Sequence, residues 1–343
     1  SKTISAAVLG LGPQGRRVLG VLAKMNGVAV VAAVDRSPKA LAAAAELPAC
    51  ARRFSTPEDL WESGGAELVC VTTNGPSHES LALAALRSGA KFVMVEKPMA
   101  CSPAECDRMI RAAKSSGARL AINQSRRHDP IYRWLRDKIR SGAWGKPRAL
   151  WIQRPGIGLG CLATHSFDLA RFLTDREVES VTAWVDAPLK ANPRGKDFID
   201  PGGLSVLDMG PGLRAVVSQI EDGAGPMSVE LDLTAARVRI DDRAGTVEIL
   251  ERDLSPIPGP DRPPTYRLGE FPETLRPRDK ISVWIGGLLT ELLSDGPMEC
   301  DALHGRAAVE ILTAAHLSSE RGHAPVPLPL AGKAEREKWL PVT

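Results

Sequence analysis

The first 124 residues alternate short, nearly continuous apolar runs with segments of helical period, and this alternation restricts the fold more than any other feature of the chain. ISAAVLGLG is followed by PQGRRVLGVLAKM, VAVVAAVD by PKALAAAAE, ELVCVTTN by SHESLALAALRSG and KFVMVEKP by SPAECDRMIRAAKSSG, and RLAIN closes the series. Strands that are apolar on both sides must be covered on both faces, and helices of this length are the connections that cover them. The pattern therefore predicts an α/β unit with a parallel sheet between helical layers. Ser102 and Pro103 mark one helix start: a capping hydroxyl, then a residue whose φ already suits the first turn.

After about residue 175 the pattern becomes a strict two-residue alternation, in VESVTAWVDAP, GGLSVLDMG, GLRAVVSQIED, PMSVELDLTAA, RVRIDDRAG and TVEILERD. Such strands suit an antiparallel sheet with one covered face. Two helical segments follow, DKISVWIGGLLTELLSDG and DALHGRAAVEILTAAHLSSERG, and NPRGKDFIDPGG and SPIPGPDRPPTYRLGEFPETLRPR read as loops, the first of which can border a ligand or merely connect two strands. A chain of 343 residues exceeds one ordinary core. Two domains are expected: residues 1–124, and an α+β domain over residues 125–343 with a large, mostly antiparallel open sheet, whose tail can pack back on the first. The open sheet face is expected to pair subunits into a homodimer or homotetramer.

Composition excludes several classes. Hydrophobic residues make up 43% and charged residues 25%, with a formal net charge of +3, too small and too interspersed for a nucleic-acid footprint. The most basic stretch, SRRHDPIYRWLRDKIR, fits the wet side of a helix. The six cysteines, at positions 50, 70, 101, 106, 161 and 300, form no CxxC pair and no zinc spacing. They read as reduced thiols of a cytoplasmic protein without a metal centre. With no apolar run of about 18 residues and no visible signal peptide, no membrane association is expected.

The first strand runs straight into Gly10-Leu11-Gly12-Pro13-Gln14-Gly15, and Asp35 ends the next strand twenty residues past Gly15. A bare GxGxxG is weak, but strand before, helix after and an acidic residue at this spacing are the context a dinucleotide site requires. The glycines allow a tight turn and close approach of backbone to a pyrophosphate, which then sits at a helix N-terminus; Asp35 would accept hydrogen bonds from the adenosine ribose. A carboxylate at 35 repels a 2′-phosphate and favours NAD, whereas Arg36 and Ser37 would hold that phosphate in NADP if Asp35 turned aside.

In VTTNGPSHESLALAALRSGAKFVMVEKPMA, Asn74, His78 and above all Glu96-Lys97-Pro98 resemble the glucose–fructose oxidoreductase / inositol dehydrogenase family, Gfo/Idh/MocA. AINQSRRHDPIYRWLRDKIRSGAWGKPRAL is similar to that family's linker helix and GLGCLATHSFDLARFL to its catalytic helix, so the resemblance covers residues 4 to about 175. It implies a Rossmann first domain and adds Asn74 and His78 to the cofactor residues. In an open parallel sheet ligands bind beyond the carboxyl ends of the strands. Thr72, Asn74, Glu96 and Lys97 all fall at such ends, where a lysine beside a cationic nicotinamide serves in acid–base work or orients a hydroxyl.

The resemblance pairs that lysine, Lys97, with a histidine, His165, and places an aspartate four residues before the histidine. Cys161 stands there instead, a weak donor that is normally neutral. Three readings stay open: proton transfer between His165 and Lys97 alone, Asp168 serving as the orienting carboxylate, or altered chemistry. Asp168, one turn after His165, would in the bland reading only support the helix. Arg127, His128, Trp151 and Arg154 lie between the domains in sequence and are expected to line a cleft with Lys97, Cys161, His165 and Asp168. The expected activity is hydride transfer between NAD(P) and a secondary alcohol or ketone of a sugar, sugar derivative or cyclitol. A redox-neutral glycosidase or epimerase of the same fold, and a non-catalytic nucleotide-binding regulator, are the alternatives.

Overall fold

The computed structural model describes residues 3–156, 158–242, 244–253, 265–275 and 280–342, so most of the Pro-rich loop expected over 255–278 lies outside the described residues. The chain forms two compact units: Ser1–His128 with Lys280–Val309 and Arg336–Thr343, and Asp129–Asp279 with Glu310–Glu335.

The first unit is built on strands β1 (Ile4–Leu9), β2 (Val28–Val34), β3 (Arg52–Phe54), β4 (Leu68–Val71), β5 (Phe92–Val95) and β6 (Arg119–Ile122). They lie in the order β3-β2-β1-β4-β5-β6, and every pairing is parallel. Successive residues point to opposite faces. Val8 and Cys70 meet Leu19 and Leu22 of helix α1 (Pro13–Leu22) on one side. Leu9 and Val71 meet Ala82 and Ala85 of α4 (His78–Arg87) and Met109 of α5 (Pro103–Ser116) on the other. Burying a leucine such as Leu19 contributes about 1.5–3 kcal/mol. The start of α5 is as the sequence predicts: Ser102 Oγ accepts the Glu105 N–H at 3.3 Å and Pro103 opens the helix. The edge strand β3 has no counterpart in the sequence pattern.

Sequence places the boundary after residue 124 and gives everything later to the second domain. The structure instead counts Lys280–Val309 with the first unit. Right-handed crossovers explain why. The chain runs outward from β1 to β3 and then returns to β4–β6, so its local helices cover opposite faces in the two halves of the sheet. The α1 side of β4–β6 would be bare, and α8 (Ile281–Leu292) fills it with Ile285, Leu288, Leu289 and Leu292.

The second unit holds β7 (Pro147–Pro155), β8 (Ser180–Val185), β9 (Gly203–Asp208), β10 (Arg214–Ile220), β11 (Ser228–Leu233), β12 (Ala236–Asp241), β13 (Thr246–Arg252), β14 (Tyr266–Leu268) and β15 (Val326–Pro327). They form one sheet in the order β14-β13-β12-β11-β7-β10-β9-β8-β15. Only β7 and β10 pair in parallel among these strands. Leu150, Ile152, Ala215 and Val217 are buried under α7 (Thr164–Thr174), which packs on α6 (Pro130–Arg140) with the Arg136 guanidinium 4.2 Å from the Phe172 ring centre. The opposite face is open and carries Trp151 and Trp184, 40% and 43% exposed.

Candidate functional site

In the first unit the strand order reverses between β1 and β4, which leaves a crevice at the carboxyl ends of those strands. Gly10, at φ +93°, follows β1 there, and a Cβ on it would stand 2.9 Å from the Thr72 carbonyl oxygen. A Cβ on Gly15 would overlap the Gly10 carbonyl oxygen. Thr72 Oγ1 lies 2.7 Å from that same oxygen and 2.9 Å from the Leu9 carbonyl, pinning the turn to β4. Gly12 differs: its φ is −63°, and a Cβ built on it meets nothing within 4 Å.

Pro13 is the first residue of α1, and no side chain caps that helix. Its first-turn N–H groups and positive dipole end therefore suit an anion. Asp35 Oδ2 accepts the Leu11 N–H at 2.7 Å and Oδ1 accepts the Ser37 N–H at 2.8 Å, so the carboxylate braces the glycine turn and keeps lone pairs for ribose hydroxyls. Ser37 Oγ caps the short helix Pro38–Ala43. Arg36 is exposed, and Gln14 accepts a hydrogen bond from Arg17. Glycines that cannot carry side chains, an uncapped helix start and a braced carboxylate fit a dinucleotide.

Two strands along, Glu96 and Lys97 follow β5. Glu96 is 4% exposed, and Asn123 Nδ2 donates to its Oε1 at 2.5 Å. Burial pushes the Glu96 carboxyl above its ordinary range, against the opposing pull of the Lys97 charge and the Asn123 hydrogen bond. Lys97 is half-buried and its bond to Pro98 is cis. Asn74 begins the turn Gly75–Ser77, its carbonyl accepting from Ser77 Oγ at 2.8 Å. His78 is 1% exposed, with Nδ1 2.8 Å from the Pro98 carbonyl oxygen and Nε2 3.1 Å from that of Thr73. It ties the turn after β4 to the residue after Lys97, which makes it a brace beneath the crevice. Arg127 and His128 are buried in the turn Ser125–His128, with His128 Nε2 3.4 Å from Glu291 of α8.

In the second unit, Gly158 at φ +88° leads into a π-turn, Leu159–Ala163, that runs directly into α7. Such wide turns recur at functional sites. Cys161 and His165 are half-buried and one turn apart. Asp168 is 2% exposed, with Oδ1 3.7 Å from Arg171 Nη1, and Arg171 in turn makes a two-pronged pair with Glu177. Asp168 thus joins a buried ionic chain on α7. Arg154 follows Leu150 and Ile152 on the helix-covered face, whereas Trp151 stands on the open face in register with Val216 and Glu230. The expectation that Trp151 lines the site with His165 therefore fails on strand parity.

Sequence reasoning missed two residues. Asn123 could have been found as the polar residue ending an apolar strand. Asp200, 5% exposed, accepts the Gly160 N–H at 2.7 Å and the Cys161 N–H at 2.8 Å. No local signal joins residues forty positions apart.

A parallel sheet with a glycine turn at its switch point, a braced strand-end aspartate and an uncapped helix start defines a dinucleotide-binding α/β protein. Residues 4–124 match, and belong to, the Gfo/Idh/MocA oxidoreductase family with its NAD-binding Rossmann fold. The chain is 31% identical over 225 residues to an inositol 2-dehydrogenase of Ralstonia nicotianae, covering 62% of this chain and 66% of that protein. It is 35% identical over 148 residues to an inositol 2-dehydrogenase of Salmonella typhimurium, covering 42% of this chain and 44% of the relative. The matched part is thus less than two thirds of either relative's length. In fold it is similar to the WlbA dehydrogenase of Bordetella pertussis, solved with NADH and UDP-GlcNAcA, at TM-score 0.77 and 22% identity over 96% of this chain and 100% of that one. It is equally similar to an Agrobacterium radiobacter oxidoreductase solved with NAD+, L-tartaric acid and magnesium, at TM-score 0.77 and 19% identity over 95% and 98%.

Proposed function

We propose that this protein is a dehydrogenase or reductase that moves hydride between NAD and a secondary alcohol or ketone of a sugar, sugar derivative or cyclitol, with Lys97 and His165 handling the proton. The observation that carries the reading is Lys97: half-buried after β5, on the same sheet edge as the glycine turn after β1 and beside buried Glu96. The inositol 2-dehydrogenase relatives support a cyclitol as the first substrate class to try.

NAD, when bound, supplies the hydride acceptor. The chain's own work is to orient and to move a proton. Asp35 receives ribose hydroxyls, the start of α1 receives the pyrophosphate, and Lys97 orients the substrate hydroxyl. His165 takes the hydroxyl proton as the alcohol becomes a ketone, and returns it in the reverse direction. Arg154 and Cys161, on the same unit as His165, contribute to substrate binding. The braced Asp35 carboxylate favours NAD over NADP, whose 2′-phosphate it would repel. The open face around Trp151 and Trp184 supports pairing of two or four copies of the chain.

Near-ultraviolet absorbance of NADH, followed while the protein is incubated with NAD and a panel of cyclitols and sugars, tests the reading. Growth of that signal with one member supports it; none with any member refutes it. Cys161, standing where a carboxylate is expected, favours a second reading, a glycosidase or epimerase that oxidises its sugar only transiently. That activity changes the product's mass or stereochemistry without net NADH. Binding of NAD with neither outcome would mark a nucleotide-sensing regulator.

A further inference from the structure

The segment 186–202 joins β8 to β9 without a helix or strand of its own and ends at Asp200-Pro201. Its last residues close onto the turn that begins the His165 helix. The Pro201 carbonyl accepts the Leu159 N–H at 2.9 Å, and the two Asp200 oxygens accept the next two, Gly160 at 2.7 Å and Cys161 at 2.8 Å. Three consecutive amides at a helix start, ordinarily left to solvent, are thus satisfied by one dipeptide. The two bonds to Asp200 are charge-assisted and sit at the positive end of the helix.

The fit is close. A Cβ on Gly158 would overlap the Asp200 carboxylate, so glycine at φ +88° is what lets the acid approach. Gln219 Nε2, from β10, fixes the other side of the approach by donating to the Gly156 carbonyl at 2.6 Å. Helical side chains lean toward the N-terminus, so the His165 imidazole rises over the turn that contains Cys161. Asp200 holds that turn. Ten residues of α7 are buried, so the helix has ample anchorage without Asp200; what the acid adds is the placement of its first turn.

We propose that Asp200 is the positioning residue of this helix: through the amides of Gly160 and Cys161 it sets where Cys161 and His165 stand. It also delivers a carboxylate to the backbone of position 161 from thirty-nine residues downstream. The proposal rests on the assignment of His165 to proton transfer.

The test uses the full chain with Asp200→Ala, Asp200→Asn and Asp200→Glu. Misplacing a catalytic group by about 1 Å costs about 10²-fold, so Asp200→Ala is expected to lose about that much in kcat while NAD affinity stays unchanged. Asp200→Asn should lose as much despite its matching shape, because its amide group presents N–H to one of two N–H donors. Asp200 lines a cavity of about 260 Å³ with Lys190, Asn192, Phe198 and Glu221. Added formate can therefore reach the vacated position and should restore turnover to Asp200→Ala but not to Asp200→Asn. Asp200→Glu, which keeps the charge, should fall between the parent and Asp200→Ala. Unchanged kcat in Asp200→Ala overturns the proposal, and so does loss of kcat that formate leaves untouched.

Hydrogen exchange needs neither substrate nor a stable variant. In the parent the amides of Gly160 and Cys161 should exchange as slowly as those within α7, and fast exchange there overturns the proposal. In Asp200→Ala formate should slow them again. If the parent turns over no polyol, the functional reading fails while this measurement still decides the role of Asp200.

Discussion

Gly12→Ala separates the cofactor role of the glycine turn from its folding role. Gly12 has φ −63° and ψ −174°, a conformation open to any residue, and a Cβ there meets nothing within 4 Å. In the free protein the methyl group is therefore harmless, and by restricting the unfolded chain it should add about 0.4–1 kcal/mol of stability. For a unit of this size that is a rise of roughly 1–4 °C in melting temperature. The space that Cβ enters lies at the start of uncapped α1, where the pyrophosphate is expected. Forcing an atom into such a contact costs about 1–3 kcal/mol, which weakens NAD binding by about 5- to 150-fold. Gly15→Ala is the counterpart: its Cβ overlaps the Gly10 carbonyl oxygen, so it should lower the melting temperature and binding together. Differential scanning fluorimetry and titration calorimetry read the two quantities independently. If Gly12→Ala binds NAD as tightly as the parent, the pyrophosphate does not approach residue 12 and the cradle is wrongly drawn.

Lys97→Ala and His165→Ala should each lower kcat by about 10²–10⁴-fold on a confirmed substrate, and normal turnover in both would end the proposed acid–base pair. Burial raises the Glu96 carboxyl, so the folded state holds this proton more tightly than the unfolded chain does. Its contribution is complete below the unfolded value of about 4.3 and is lost as pH rises through the higher folded value. Glu96→Gln keeps an oxygen for Asn123 and never ionises; its melting temperature should exceed the parent's near neutral pH, with the gap closing in acid. A gap that widens in acid reverses the sign and refutes the assignment. Trp151→Glu puts a charge on the open sheet face; sedimentation should show a smaller assembly, and an unchanged mass would remove that face from subunit pairing.

What could be read in advance was local in character. The period-two and helical patterns are visible within ten residues, and a glycine turn with an acid twenty residues on carries its own context, so the first sheet, the cradle and the start of α5 were all legible. The position of α8 was not, because Ile285, Leu288, Leu289 and Leu292 state only that the helix needs an apolar surface. Which surface is bare depends on the hand of crossovers two hundred residues earlier. β3, with three residues, is too short to show a period.

The site divides the same way. Residue type and strand-end position pointed to His78, but its part as a brace between the Thr73 and Pro98 carbonyls depends on two loops meeting. Trp151 shows how little separates one face from the other. The segment before His165 suggested a cleft residue, yet a parity of one along β7 sends Arg154 to the helix-covered face and Trp151 to the open one. Cys161 shows the converse: inspected alone it is a carboxylate lost from the helix, while the fold brings Asp200 to its amide at 2.8 Å. A charge absent from one position in the sequence can thus be present at that position in space, and a substitution at 161 acquires its meaning only when the loop ending at Asp200 is included.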